Sequence, residues 1–72
     1  MDYAVVLMDS TSYAIKGERV LKDAGISAKL IPVPRHISSD CGVTVRIPIG
    51  EIERSEGILK EGKVPFNEIV KV

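Results

Sequence analysis

Two residues in this chain have side chains suited to covalent or proton chemistry near neutral pH, and both fall in one short stretch. Cys41, its only cysteine, and His36, its only histidine, lie in Pro32-Val33-Pro34-Arg35-His36-Ile37-Ser38-Ser39-Asp40-Cys41-Gly42, between two apolar runs. A thiol acts as a nucleophile or sulfur carrier only as thiolate, and cationic neighbours or a helix N-terminus favour that form. Arg35 and His36 supply the cations, and Asp40 opposes them if its carboxylate faces the sulfur. Gly42 permits close approach of a ligand or backbone. Ser38 and Ser39 could donate to an anion or simply tie the loop to its own backbone. The structural alternatives stand beside these roles. A lone cysteine next to a strand is often a small buried hydrophobe. His36 could be an exposed loop residue, and Arg35 could pair with Asp40.

Several chemistries are excluded by what is missing. There is no Cys-x-x-Cys, so neither a dithiol redox motif nor a soft-metal pair is present. One cysteine and one histidine cannot complete a four-ligand zinc site, and no metal or other cofactor is expected. No phosphate-cradling glycine motif and no Gly-x-Ser-x-Gly elbow occurs. Glu51, Glu53, Glu56 and Glu61 fit a solvated helix face rather than an enclosed acid–base pair.

The elements that must position the thiol follow from periodicity. Tyr3–Met8 is a continuous apolar run and predicts a central strand. Asp9-Ser10-Thr11-Ser12 then offers oxygens to the free N–H groups of a helix, so Ser10 and Thr11 read first as a cap. Tyr13, Ala14, Gly17, Val20, Leu21 and Ala24 recur at helical spacing, and Gly25 stands where that helix should end. Gly17, within the apolar stripe, suggests close packing of helix on sheet. Ser27–Val33 predicts a second strand that Pro32 either ends or confines to an edge. Val43–Ile47 predicts a third, Ile49–Lys60 a second helix, and Phe66–Val72 a last strand after the turn at Gly62 and Pro65.

The order βαββαβ predicts an α+β, ferredoxin-like fold, a four-stranded antiparallel sheet with two helices on one face. A right-handed crossover makes the first two strands parallel, with the third between them. The end of the first strand, the start of the first helix and the 34–42 loop then fall at one end of the sheet. Ser10, Thr11, Ser12 and Cys41 would meet there, and Lys60 and Lys63 would approach from the connection before the last strand.

Seventy-two residues allow one domain, residues 1–72, and a chain this short buries only about 60% of its unfolded surface, so a homodimer would help it. Ten basic and ten acidic residues cancel, which removes the electrostatic case for nucleic acid or an anionic membrane. A single cysteine offers no internal disulfide, and the first apolar run is too short for a signal or membrane segment. A cytoplasmic location is expected.

The helix-start segment Met8-Asp9-Ser10-Thr11, Ala14, Leu21-Lys22-Asp23-Ala24-Gly25-Ile26, and Pro-Arg-x-Ile-Ser-Ser-x-Cys-Gly at 34–42 together resemble a small prokaryotic family. It is catalogued as domain of unknown function 3343 and labelled selenium/sulfur carrier-like, and the resemblance covers nearly the whole chain. It implies that Cys41 is the carrier thiol, holding a persulfide or perselenide, with Arg35, Ser38, Ser39 and Gly42 as its motif neighbours. It also implies donor and acceptor proteins, such as a cysteine desulfurase, and a protein co-substrate rather than a free-standing enzyme. Where the family often has an aromatic at the end of the first strand, this chain has Met8. The alternative is a ferredoxin-like regulatory module that binds a small anion at the loop and keeps Cys41 structural. A thiol enzyme or redox sensor using Cys41 with His36 is a third.

Overall fold

The computed structural model describes residues 2–34, 37 and 42–72. It contains β1 (Tyr3–Leu7), α1 (Thr11–Asp23), β2 (Lys29–Pro32), β3 (Val43–Pro48), a 3-10 turn (Ile49–Glu51), α2 (Ile52–Glu61) and β4 (Glu68–Lys71). The strands form one sheet in the order β2-β3-β1-β4, and every neighbouring pair is antiparallel. This is the expected ferredoxin-like βαββαβ arrangement, with β1 and β2 parallel in direction and β3 between them. Three boundaries differ from the sequence pattern. β2 begins at Lys29 rather than Ser27, and β4 begins at Glu68, because Phe66 packs against the core instead of joining the ladder. The segment after Pro48 starts as a 3-10 turn before the helix begins.

Alternation along the strands sorts the side chains. Ala4, Val6 and Met8 from β1 and its exit, and Val45 and Ile47 from β3, meet Ala14 and Leu21 of α1 and Leu59 of α2 in the main core. Val5, Leu7 and Thr44 project to the other face and are also buried, while Arg46 there sets its guanidinium 4.2 Å from the centre of the Tyr3 ring. Gly17 lies in the buried stripe of α1, and a Cβ on it would stand 2.7 Å from Met8 Cε and 3.5 Å from Leu59 Cδ2. The expected close packing is therefore a three-way contact of α1, α2 and the end of β1. Met8 fills this space, so a larger ring at position 8 would have to displace Gly17's helix. Tyr13, by contrast, leaves the apolar stripe and is 40% exposed.

Both helices end the same way. In α1 the N–H of Ile26 donates to Leu21 O and that of Gly25 to Lys22 O, each at 3.0 Å, with Gly25 at φ +88°. In α2 the N–H of Val64 donates to Leu59 O at 2.9 Å and that of Lys63 to Lys60 O at 3.1 Å, with Lys63 at φ +56°. Each closes with an apolar residue, Ile26 or Val64, buried in the core, which is why the chain must turn left-handed at the position before it. Glycine adopts that backbone without steric cost; lysine does not.

Gly25→Ala should therefore lower stability by about 1 kcal/mol, whereas Lys63→Gly should raise it by about 0.5–1 kcal/mol, because only the second relieves a left-handed side-chain residue. Urea unfolding midpoints compared at constant slope would check both signs.

Candidate functional site

The strand register decides which residues share an end of the sheet. β1 and β3 pair as Val6↔Val45, so the exit of β1 and the entry of β3 lie together. Val33 N donates to Gly42 O at 3.3 Å, extending the β2–β3 ladder by a further rung past Pro32↔Val43. Pro34 and Gly42, the two mouths of the 34–42 segment, thus stand at the end where β1 hands over to α1. The N–H of Ile37 donates to Pro34 O at 3.0 Å, so the segment leaves β2 through a turn.

Ser10 caps α1 at that end. Its backbone is extended (φ −146°, ψ 157°) and its Oγ accepts from the N–H of Tyr13 at 3.3 Å. The structure thus gives Ser10 the capping role. Thr11 is the first helical residue, and it and Ser12 are exposed. Cys41, Arg35, Ser38 and Ser39, with His36 and Asp40, lie outside the described residues. Lys60 and Lys63 are exposed at the end of α2, but Gly62 between them packs on Val20 of α1, its hypothetical Cβ 3.2 Å from Val20 Cγ1. Val20 is about 15 Å along the helix from Ser10 at 1.5 Å per residue. The turn carrying the two lysines therefore lies against the middle of α1 rather than at its capped end. Of the four glutamates assigned to a solvated face, Glu53 and Glu61 are exposed. Glu51 and Glu56 are half-buried, and Glu51 takes a 3.4 Å contact from Arg54.

Two contacts at this end escape sequence reasoning. The N–H of Asn67 donates to Leu7 O at 2.7 Å, and its side-chain Nδ2 donates to Asp9 Oδ1 at 2.8 Å. Asn67 thereby ties the start of β4 to the strand-to-helix link that precedes Ser10. Thr44 Oγ1 donates to Val6 O, a fully buried bond joining β3 to β1 next to Gly42. Both partners lie far apart in the chain, so no local spacing announces either. The mouth of the segment is framed by a capped helix on one side and a pinned strand pair on the other. Such a frame can hold a loop residue in a fixed position relative to helix-end N–H groups.

The match with known families bears on the same residues. Residues 2–71 match the model of the family described as "Putative Se/S carrier protein-like". The chain belongs to this family. The match spans the capped strand-to-helix link, the 34–42 segment and β4 alike, as the resemblance read from the sequence implied. No curated protein and no solved structure matches the chain. Among the described residues no helix is long and apolar enough to cross a membrane.

Ser10→Ala should cost about 1 kcal/mol of stability through the lost cap, and Ser10→Asp should retain most of it. Thermal melts would check the pair; an alanine variant as stable as the parent would show that the cap contributes nothing.

Proposed function

We propose that this chain carries sulfur or selenium as a persulfide or perselenide on Cys41, passing it between a donor and an acceptor protein. Membership of the Se/S carrier-like family over residues 2–71 is the observation that carries this reading, because Cys41 is the chain's only thiol. In loading, the Cys41 thiolate attacks the outer sulfur of a donor persulfide. The donor S–S bond breaks, a new S–S bond forms on Cys41, and the donor leaves as thiolate. Delivery repeats the exchange on an acceptor thiolate, so no external oxidant or reductant is consumed. The same balance holds when the outer atom is selenium.

The surroundings suit this cargo. A terminal persulfide is more acidic than a thiol and is anionic at neutral pH, so it gains from cationic donors and helix-end N–H groups. Arg35, Ser38 and Ser39 are the nearest such side chains in sequence. Gly42, one peptide bond from Cys41, stands at the end of the sheet where Ser10 opens α1. A protein co-substrate needs a thiol that two larger proteins can reach in turn. A reducing cytoplasm would keep the lone thiol ready for loading.

Incubation with a cysteine desulfurase and cysteine, or with a selenocysteine lyase and selenocysteine, should add one sulfur or selenium to the chain by intact-mass spectrometry. Thiol reductant should remove it, and Cys41→Ser should abolish it. Arg35→Ala should slow loading on the order of tenfold through loss of one charge-assisted contact, while His36→Ala should have a smaller effect. A wild-type chain that stays unmodified with both donors would favour an anion-binding module in which Cys41 is structural.

A further inference from the structure

The two edges of the sheet differ in how their backbone groups are used. In β2, Lys29 and Ile31 exchange bonds with β3, so Leu30 points its N–H outward. That N–H donates to Glu18 Oε2 at 2.8 Å, and Lys22 Nζ stands 3.6 Å from the same oxygen. A charged pair from α1 thus occupies the β2 edge. In β4 the N–H of Val72 donates to Tyr3 O, and the alternation sets Val70 inward as well. Ile69 and Lys71 therefore point their N–H and C=O groups outward, and among the described residues nothing bonds to them.

We propose that the β4 edge pairs with the β4 edge of a second copy of this chain, joining the two sheets across a two-fold axis at Val70. In this register Ile69 exchanges backbone hydrogen bonds with the partner's Lys71, and Lys71 does so with the partner's Ile69. Val70 meets the partner's Val70 on the face away from the helices. Sliding the strands so that Lys71 meets its own copy sets like charges opposite each other, which is unfavourable. Sliding them the other way calls on Asn67, whose N–H is already bound to Leu7 O. The register centred on Val70 is the one that uses both outward residues and opposes no like charges.

The side-chain surroundings fit the same occupant. A cavity of about 360 Å³, lined by Ile49, Gly50, Ile52, Glu53 and Lys71, lies beside this edge on the helix side of the sheet. Ile69 of the partner subunit arrives opposite Lys71 on that side, next to Ile49 and Ile52. A self-pairing edge matches its own spacing of outward groups on both strands, which an unrelated peptide need not do. A contact this short falls well below the roughly 1,600 Å² of a standard stable interface, so the dimer is weak and concentration-dependent.

Sedimentation equilibrium should show the wild-type chain monomeric at low micromolar concentration and partly dimeric near about 1 mM, the weak end of the affinity scale. Val70→Lys, which places two lysines together on the axis, should weaken the dimer at least about tenfold. Circular dichroism would confirm that this variant folds. The doubly substituted Cys41→Ser, Val70→Cys chain offers an independent check. Residues facing each other across a non-hydrogen-bonded antiparallel pair have Cα atoms about 4.5 Å apart, within disulfide reach. This chain should oxidise to a covalent dimer, whereas Cys41→Ser, Lys29→Cys, on the opposite edge, should not. A wild-type monomer at about 1 mM would overturn the proposal. So would a dimer that survives Val70→Lys while Val70→Cys fails to cross-link.

Discussion

The antiparallel pairing of β1 with β3 is the constraint on which the rest of the structure depends. β1 is buried on both faces, and β3 beside it carries Val45 and Ile47 inward and Thr44 to the far face. Once Val6 stands opposite Val45, the exit of β1 and the entry of β3 share one end of the sheet. A slip of one residue would turn Val45 and Ile47 out of the core and set Thr44 in it. The hydroxyl of Thr44, bound to the carbonyl of Val6, favours the observed register again through a polar contact. Removing the hydroxyl while keeping the shape would leave Val6 O without that donor in a buried setting, a cost of about 1–3 kcal/mol by analogy with other buried groups.

From that pairing the positions of the helices follow. α1 must run back along the sheet from the capped end, and Gly17 lets it approach until its backbone meets Met8 and Leu59. α2 is held at its other end by Arg54, whose guanidinium donates to Ala24 O at the end of α1. Each helix closes by folding an apolar residue back into the core, and neither closure uses a side-chain cap. A chain of this size has little core to spare, so the ends of its elements contribute a large share of what holds them in place. Ser55 shows the other side of this economy: it is fully buried in α2 and its hydroxyl has no partner among the described residues.

Much of this was legible in the sequence because local signals agreed with one another. The run Tyr3–Met8, the oxygen-rich link Asp9–Ser12 and the glycine at 25 each mark a boundary through nearest-neighbour physics, and the order βαββαβ then leaves few topologies. Where reading failed, the deciding partner was remote. Phe66 reads as strand by type but is drawn to the core, and Lys63 occupies a left-handed position that composition would assign to glycine. The edge cap made by Glu18 on Leu30 and the tie from Asn67 to Asp9 join residues that no spacing connects. For the thiol itself, the motif Pro34–Gly42 was visible and its neighbours nameable. What the fold adds is the location of its two mouths.

A carrier reading rests on the chemical state of one sulfur. If Arg35 and the N-terminal end of α1 stabilise an anion at Cys41, they must also favour its thiolate in the unloaded chain. The rate of alkylation by a small neutral reagent, followed against pH in the folded protein, reports this directly. A carrier should react fast, with a midpoint clearly below the roughly 8.5 of a free cysteine, and Arg35→Ala should move that midpoint upward. A slow rate that rises only once unfolding begins would contradict the account, because the thiol would then be an inert part of the packing.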